Sequence, residues 1–124
     1  MPSWWQKKQK SFESSTRSGA EAERRVRRYY RLRGYRILGA NVRAGGNELD
    51  IVVRRGRRLL VCEVKARSGL AFGDPWEAVD PEKERRLRRA AEGWLARNPE
   101  LQGLEIACEV VAVRGRRIDR VTLS

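Results

Sequence analysis

Apolar residues return every three or four positions from Ala22 to Tyr30 and again from Leu87 to Leu95. Elsewhere they come in short runs bounded by glycine. The first spacing predicts a helix from about Ser18 to Arg33, burying Ala22, Val26, Tyr29 and Tyr30. Ser18 can cap it, Glu21 and Glu23 fall near its first turn, arginines follow, and Gly34 ends it. The second spacing predicts a helix from Pro81 to Arg97, with Leu87, Ala90, Ala91, Trp94 and Leu95 on one face and Asn98-Pro99 as the stop. The short runs predict strands over Tyr35–Arg43, Glu48–Arg54, Arg58–Ala66, Leu104–Val113 and Arg117–Leu123, turning at Gly45-Gly46, Gly56 and Gly115.

Residues 67–80, with Ser68-Gly69, Phe72-Gly73 and Asp74-Pro75-Trp76, read as a long loop. Residues 1–17 read as a flexible basic arm ahead of one domain over 18–124. Trp4-Trp5 beside the lysines of that arm suits docking on an apolar surface better than stacking on bases. The element order is α-β-β-β-α-β-β. A helix between the third and fourth strands is long enough to cross between parallel neighbours. The expected class is α/β, a mixed sheet flanked by two helices.

Composition narrows the setting. No apolar run approaches the ~20 residues of a membrane span, and the N-terminus lacks the apolar core of a signal peptide. Cys62 and Cys108 lie far apart in apolar segments and read as buried, reduced thiols, so a cytoplasmic location is expected. The net charge of +12 implies a polyanionic partner, nucleic acid before a membrane surface. The chain has no histidine, which excludes histidine-dependent nucleases, Ser-His-Asp hydrolysis and His-rich zinc sites.

Candidate chemistry falls on one predicted hairpin. Glu63 and Lys65 are two apart on a strand and share a face. With an even loop centred between Gly56 and Arg57, Asp50 lies opposite Glu63 and Glu48 opposite Lys65. A slip of one residue would separate them. Glu48, Asp50 and Val52 are expected on one face of their strand, with Leu49, Ile51 and Val53 on the other. Facing carboxylates repel unless a cation or proton lies between them, and hard oxygen ligands favour Mg²⁺ or Mn²⁺. Such an ion polarises a phosphoryl oxygen and acidifies a bound water, while Lys65 orients that water and offsets developing charge. The other reading is a cross-strand salt-bridge cluster pairing Glu48 with Lys65. Spacing alone leaves both open.

These residues sit in a longer pattern. Ala22-Glu23, Gly34-Tyr35-Arg36-Ile37-Leu38, Asn41 and Arg43 are followed by Glu48-Leu49-Asp50-Ile51-Val52. Val61-Cys62-Glu63-Val64-Lys65-Ala66-Arg67, Phe72-Gly73, Glu77-Ala78-Val79, Lys83 and Arg86-Leu87 complete it. Over roughly residues 18 to 114 the chain resembles the bacterial YraN family of endonuclease-like proteins. That family lies within the PD-(D/E)xK nuclease superfamily and is related in fold to archaeal Holliday junction resolvases. The resemblance implies a restriction-endonuclease-like fold with core order α-β-β-β-α-β. It implies Asp50 and Glu63 as metal ligands with the Val64 carbonyl as a third, Lys65 as the catalytic lysine, and Glu23 approaching the metal directly or through water. Two positions depart from the usual pattern: Asn47 replaces a glycine and Tyr30 a leucine.

The leading expectation is a Mg²⁺-dependent endonuclease hydrolysing DNA phosphodiester bonds, at branched or otherwise structured sites. Arg54, Arg67, Lys83 and Arg86, with the other arginines of the second helix and the Arg54–Arg58 turn, are candidate phosphate contacts. The alternatives are a non-catalytic nucleic-acid-binding module and a scaffold that keeps the nuclease fold. Nucleases that cut two strands are often two-fold dimers, which adds a homodimer to the expectations, with Phe72 and Trp76 as apolar contacts.

Overall fold

A computed structural model describes residues 12–67 and 81–123, with side chains over 19–66 and 81–123. Helix α1 spans Phe12–Leu32 and α2 spans Pro81–Arg97. The strands are β1 Arg36–Ala44, β2 Asn47–Arg55, β3 Arg58–Arg67, β4 Glu105–Arg114 and β5 Arg117–Leu123. A single 3-10 turn, Pro99–Leu101, leads from α2 toward β4. The five strands form one sheet in the order β1-β2-β3-β4-β5. Only the β3–β4 pair, joined through α2, is parallel. This is the restriction-endonuclease-like architecture, with one helix on each face of a mixed sheet.

Each predicted element is present, α2 with the expected ends. Helix α1 starts at Phe12, six residues before Ser18, so Ser18 is an interior residue and not a cap. Helix α1 thus takes in residues 12–17, which had been read as part of the arm; Trp4-Trp5, Phe72 and Trp76 lie outside the described residues. At its other end α1 stops as the glycine implied. Gly34 has φ +86°, its N–H donates to the Arg31 carbonyl, and the Tyr35 N–H donates to Tyr30 at 3.0 Å. That pair of bonds is the Schellman arrangement, which satisfies the last carbonyls of the helix.

The sheet separates two apolar layers. Ala22, Val26 and Tyr30 of α1 pack on Ile51, Val53, Leu60, Cys62, Val111 and Val113. Leu87, Ala90, Ala91 and Trp94 of α2 pack on Leu49, Val52, Leu59, Val61 and Cys108. Strand β3 is covered on both faces, which explains its unbroken run Leu59-Leu60-Val61-Cys62. Among the described residues no helix is long and apolar enough to cross a membrane.

One charge is held inside the α1 layer. Glu109 on β4 is 2 % exposed. It accepts hydrogen bonds from the Tyr30 hydroxyl at 2.9 Å and the Thr122 hydroxyl at 3.1 Å, and Arg120 stands 3.5 Å away. The Cys62 thiol donates to the Tyr30 oxygen. Tyr30, the departure from leucine, thus supplies a second hydroxyl donor, to the Oε1 of a buried carboxylate whose Oε2 is bonded by Thr122.

Burial makes this cluster sensitive to alkali. The Cys62 thiol is pushed up from 9.0 to about 12, chiefly because burial disfavours the thiolate; the Tyr30 hydrogen bond opposes the shift and the Glu109 charge adds to it. Tyr30 is raised too, first by burial and then by Cys62. The unfolded thiol therefore ionises at lower pH than the folded one. The contribution of Cys62 to stability is complete below pH 9.0 and is lost between there and about 12. Urea midpoints should fall between about pH 8.5 and about pH 10.5, and fall less in Cys62→Ala.

Candidate active site

The β2–β3 hairpin turns through Gly56-Arg57, with Gly56 at φ +59° and Arg55 paired with Arg58. Glycine at the first central position with positive φ is the pattern of a two-residue II′ turn. The loop is therefore even. Each partner pair sums to 113, from Arg55↔Arg58 to Ile51↔Cys62. The next step of that register would set Asp50 across from Glu63, but the ladder stops one step short.

There the two strands part. The β2–β3 ladder ends at Ile51↔Cys62, while β3 continues alongside β4 to Arg67↔Arg114 and β2 alongside β1 to Asn47↔Ala44. Asp50 stands at this fork, half-buried, and its Oδ2 accepts the Val64 N–H at 2.8 Å. A carboxylate thus continues the hydrogen bonding that the β2 backbone has given up. In an extended strand the N–H and C=O of one residue point to the same side, so the Val64 carbonyl shares the β2 side with its N–H. Glu63 and Lys65 alternate with Val64 and Ala66 and share the α2 side of the sheet with Leu59 and Val61.

Two expectations about β2 are corrected. Glu48 does not lie opposite Lys65, because the ladder has already ended; its partner in register is Arg43 on β1. Leu49 and Ile51 were expected to share a face, yet Leu49 packs in the α2 layer and Ile51 in the α1 layer. The alternation breaks at Asp50. Across from it on β1 is Asn41, at φ +52°, the one non-glycine residue with positive φ among those described. Pairing is present on both sides, at Ala40↔Ile51 and Val42↔Leu49, and missing between them. The left-handed residue rotates β1, and β2 follows. Asparagine tolerates this conformation better than other side chains. Asn41→Gly should unfold within ~0.5 kcal/mol of the native protein in urea, whereas Asn41→Val should lose about 1–2 kcal/mol.

The other singled-out residues divide by position. Glu23 is half-buried on α1, beside buried Ala22. One turn position on, the Arg25 guanidinium donates to the Gly115 carbonyl, at the end of the sheet where β3 finishes. Glu23 therefore sits on the α1 side of the sheet, opposite the face that carries Glu63 and Lys65, two residues before the Arg25 that reaches the β4–β5 turn. Among the described residues no three cysteine or carboxylate side chains converge to hold a metal ion. Arg54 donates to the Gly56 carbonyl in the hairpin turn, at the far end of the sheet from Asp50. Lys83 and Arg86 are half-buried on α2, and Arg67 is the last residue of β3.

Sequence reasoning passed over Glu109 and the conformation of Asn41. A single charge inside Ile106-Ala107-Cys108-Glu109-Val110-Val111 was the available signal for the first. For the second, an asparagine amid a predicted strand was the only one.

Residues 22–123 match the model of the uncharacterised protein family UPF0102. The chain is 38 % identical over 108 residues to a UPF0102 protein of Bradyrhizobium diazoefficiens, covering 87 % of this chain and 80 % of that one. It is 44 % identical to one of Beutenbergia cavernae, covering 77 % and 80 %. A UPF0102 protein of Klebsiella pneumoniae is 34 % identical, with 90 % and 88 % covered. The chain belongs to the UPF0102, or YraN, family.

Proposed function

We propose that this protein is a metal-dependent endonuclease that hydrolyses DNA phosphodiester bonds at the fork between β2 and β3. The observation that carries the reading is the Asp50 carboxylate bonded at 2.8 Å to the N–H of Val64, which lies between Glu63 and Lys65 on β3. A salt-bridge cluster that pairs Glu48 with Lys65 directly across the strands is disfavoured, because the β2–β3 ladder ends before Glu48. The donors at the fork are two carboxylates and a backbone carbonyl, all hard oxygens. This set suits Mg²⁺ or Mn²⁺, since Mg²⁺ keeps several waters and needs only one or two carboxylates.

When bound, the ion supplies Lewis acidity and a water of lowered pKa. Asp50 and Glu63 hold it, with the Val64 carbonyl beside them. The Asp50–Val64 bond fixes the carboxylate against the strand that carries the other donors. Lys65, on the Glu63 face, orients the attacking water and offsets charge on the phosphoryl oxygens. Glu23 acts from the α1 side through a water. The working compartment is the cytoplasm, where both thiols stay reduced.

The test is cleavage of linear and four-way branched DNA with Mg²⁺ or Mn²⁺, for the native protein and Asp50→Asn, each also sized in solution with and without DNA. Cleavage by the native protein alone supports the reading, and preference for the branched substrate with a two-fold dimer supports the resolvase-like form. Equal binding with no cleavage by either protein replaces it with the non-catalytic module.

A further inference from the structure

The arginines are unevenly placed. From Arg24 to Arg33 the end of α1 and its exit carry six arginines and no acid. Ala22, Val26 and Tyr30 mark the buried side of the helix. At 100° per residue, Arg24, Arg28 and Arg31 fall directly opposite that stripe, and all three are exposed. They form one ridge about 10 Å long. Among the described residues Arg24, Arg28, Arg31 and Arg116 take part in no ion pair. Helix α2 differs: its basic residues alternate with Glu82, Glu84 and Glu92, and Arg88 is bonded to Glu84.

The ridge is joined to a second basic element. Arg25 holds the Gly115 carbonyl, so the β4–β5 turn with exposed Arg116 lies against α1. That turn is at the fork end of the sheet, one step past Arg67↔Arg114. Like charges three and four apart on a helix repel by a few tenths of a kcal/mol per pair. A polyanion relieves that repulsion. The apolar side of α1 is committed to the core, so the helix has no face to insert into a lipid surface. The ridge also lacks the broad apolar centre of a protein-binding surface, since Leu32 is the one large apolar side chain exposed beside it among the described residues. Guanidinium groups on a rigid rod suit phosphates, of which a duplex presents one per ~1.7 Å of axis.

We propose that the Arg24–Arg28–Arg31 ridge of α1, with Arg116 on the β4–β5 turn, is the surface that docks the phosphate backbone of duplex DNA and leads it to the fork. The partner is that of the proposed function, but docking does not require hydrolysis.

The experiment measures binding of a plain duplex in EDTA across a salt series. It compares the native protein with Arg24→Gln/Arg28→Gln/Arg31→Gln and with a triple on the competing surface, the α2 arginines named above as candidate phosphate contacts, Arg85→Gln/Arg86→Gln/Arg89→Gln. Glutamine is a good helix former, and thermal melts check that each variant is folded. The α1 triple should weaken binding at least ~10-fold at 0.1 M salt and flatten the log–log salt slope by about 2–3, against less than ~3-fold for the α2 triple. Equal losses in the two triples, an unchanged α1 triple, no duplex binding by the native protein, or tighter binding to phosphatidylserine vesicles than to the duplex each overturn the proposal. Failure of the two readings is separable. Native-like binding by the α1 triple, with cleavage still lost in Asp50→Asn, removes the ridge and keeps the nuclease. Ridge-dependent binding without cleavage does the reverse.

Discussion

Asp50→Asn is expected to lower Mg²⁺-dependent DNA cleavage by about a hundredfold or more while leaving stability almost native. The two effects separate because the Asp50 carboxylate has two tasks. One oxygen accepts the Val64 N–H at 2.8 Å. An asparagine carbonyl can accept the same bond, so the fork keeps its shape. The charge that, on the proposed function, would hold a cation beside Glu63 is lost. Asp50→Ala removes both, and leaving a half-buried N–H without its partner should cost a further ~1–3 kcal/mol of stability. Alanine is therefore the less informative variant for catalysis. Glu63→Gln should resemble Asp50→Asn, and the double variant should be little worse than either, since ligands of one ion fail together. Single-turnover cleavage, Mn²⁺ titration and urea unfolding on the same preparations check all three. Native-like cleavage by Asp50→Asn would remove the fork as the site of chemistry.

Gly45→Ala should be the most damaging change outside the fork, at about 3 kcal/mol or more, or roughly 10 °C in melting temperature. The β1–β2 turn is Gly45-Gly46, with φ of +56° and +77°, the I′ pattern of a two-residue hairpin. Left-handed backbone alone costs an alanine about 1–2 kcal/mol. Gly45 carries a second demand. A Cβ there meets the Arg89 carbonyl oxygen of α2 and lies 2.9 Å from its carbon. Gly93, one turn along α2, would place its own Cβ 2.6 Å from the Gly45 nitrogen. Backbone meets backbone, so no flexible side chain can move aside. Gly46 has open space around it and is the control: Gly46→Ala should cost only the ~1 kcal/mol of its φ. Thermal melts of the two alanine variants measure the difference. Equal losses would show that the turn, and not its approach to α2, sets the cost.

That approach also bears on the fork. The Gly45 turn anchors the paired ends of β1 and β2 on α2, and Arg97 of α2 donates to the Arg43 carbonyl of β1. On the other face α1 packs against β3. The β2–β3 ladder ends between these anchors, and Asp50 is the first residue past that end.

Much of this was legible locally. Pro81 and Asn98-Pro99 punctuate α2, and its ends were placed correctly. Glycines at 45, 46, 56 and 115 marked every described hairpin turn, and the even loop at Gly56 set the β2–β3 register as far as Ile51↔Cys62. The start of α1 was not legible. Glu13-Ser14-Ser15-Thr16-Arg17 has no apolar period to report a helix, and Ser18 looked like a cap. Nor was the face of Leu49, because strict alternation assumes regular strands on both sides. Asn41 breaks it from nine residues away.

The sequence by itself determined the elements, their order, the hairpin register and the family, because each depends on local spacing and on residues that act within a few positions of themselves. Tertiary structure alone decided the rest. It ended the β2–β3 ladder before Asp50, left Glu48 in register with Arg43 of β1 and not with β3, gave buried Glu109 a donor 79 residues away in Tyr30, and set the β4–β5 turn against the arginine ridge of α1. Those outcomes depend on which surfaces meet across the sheet, and no pattern of neighbours along the chain records that.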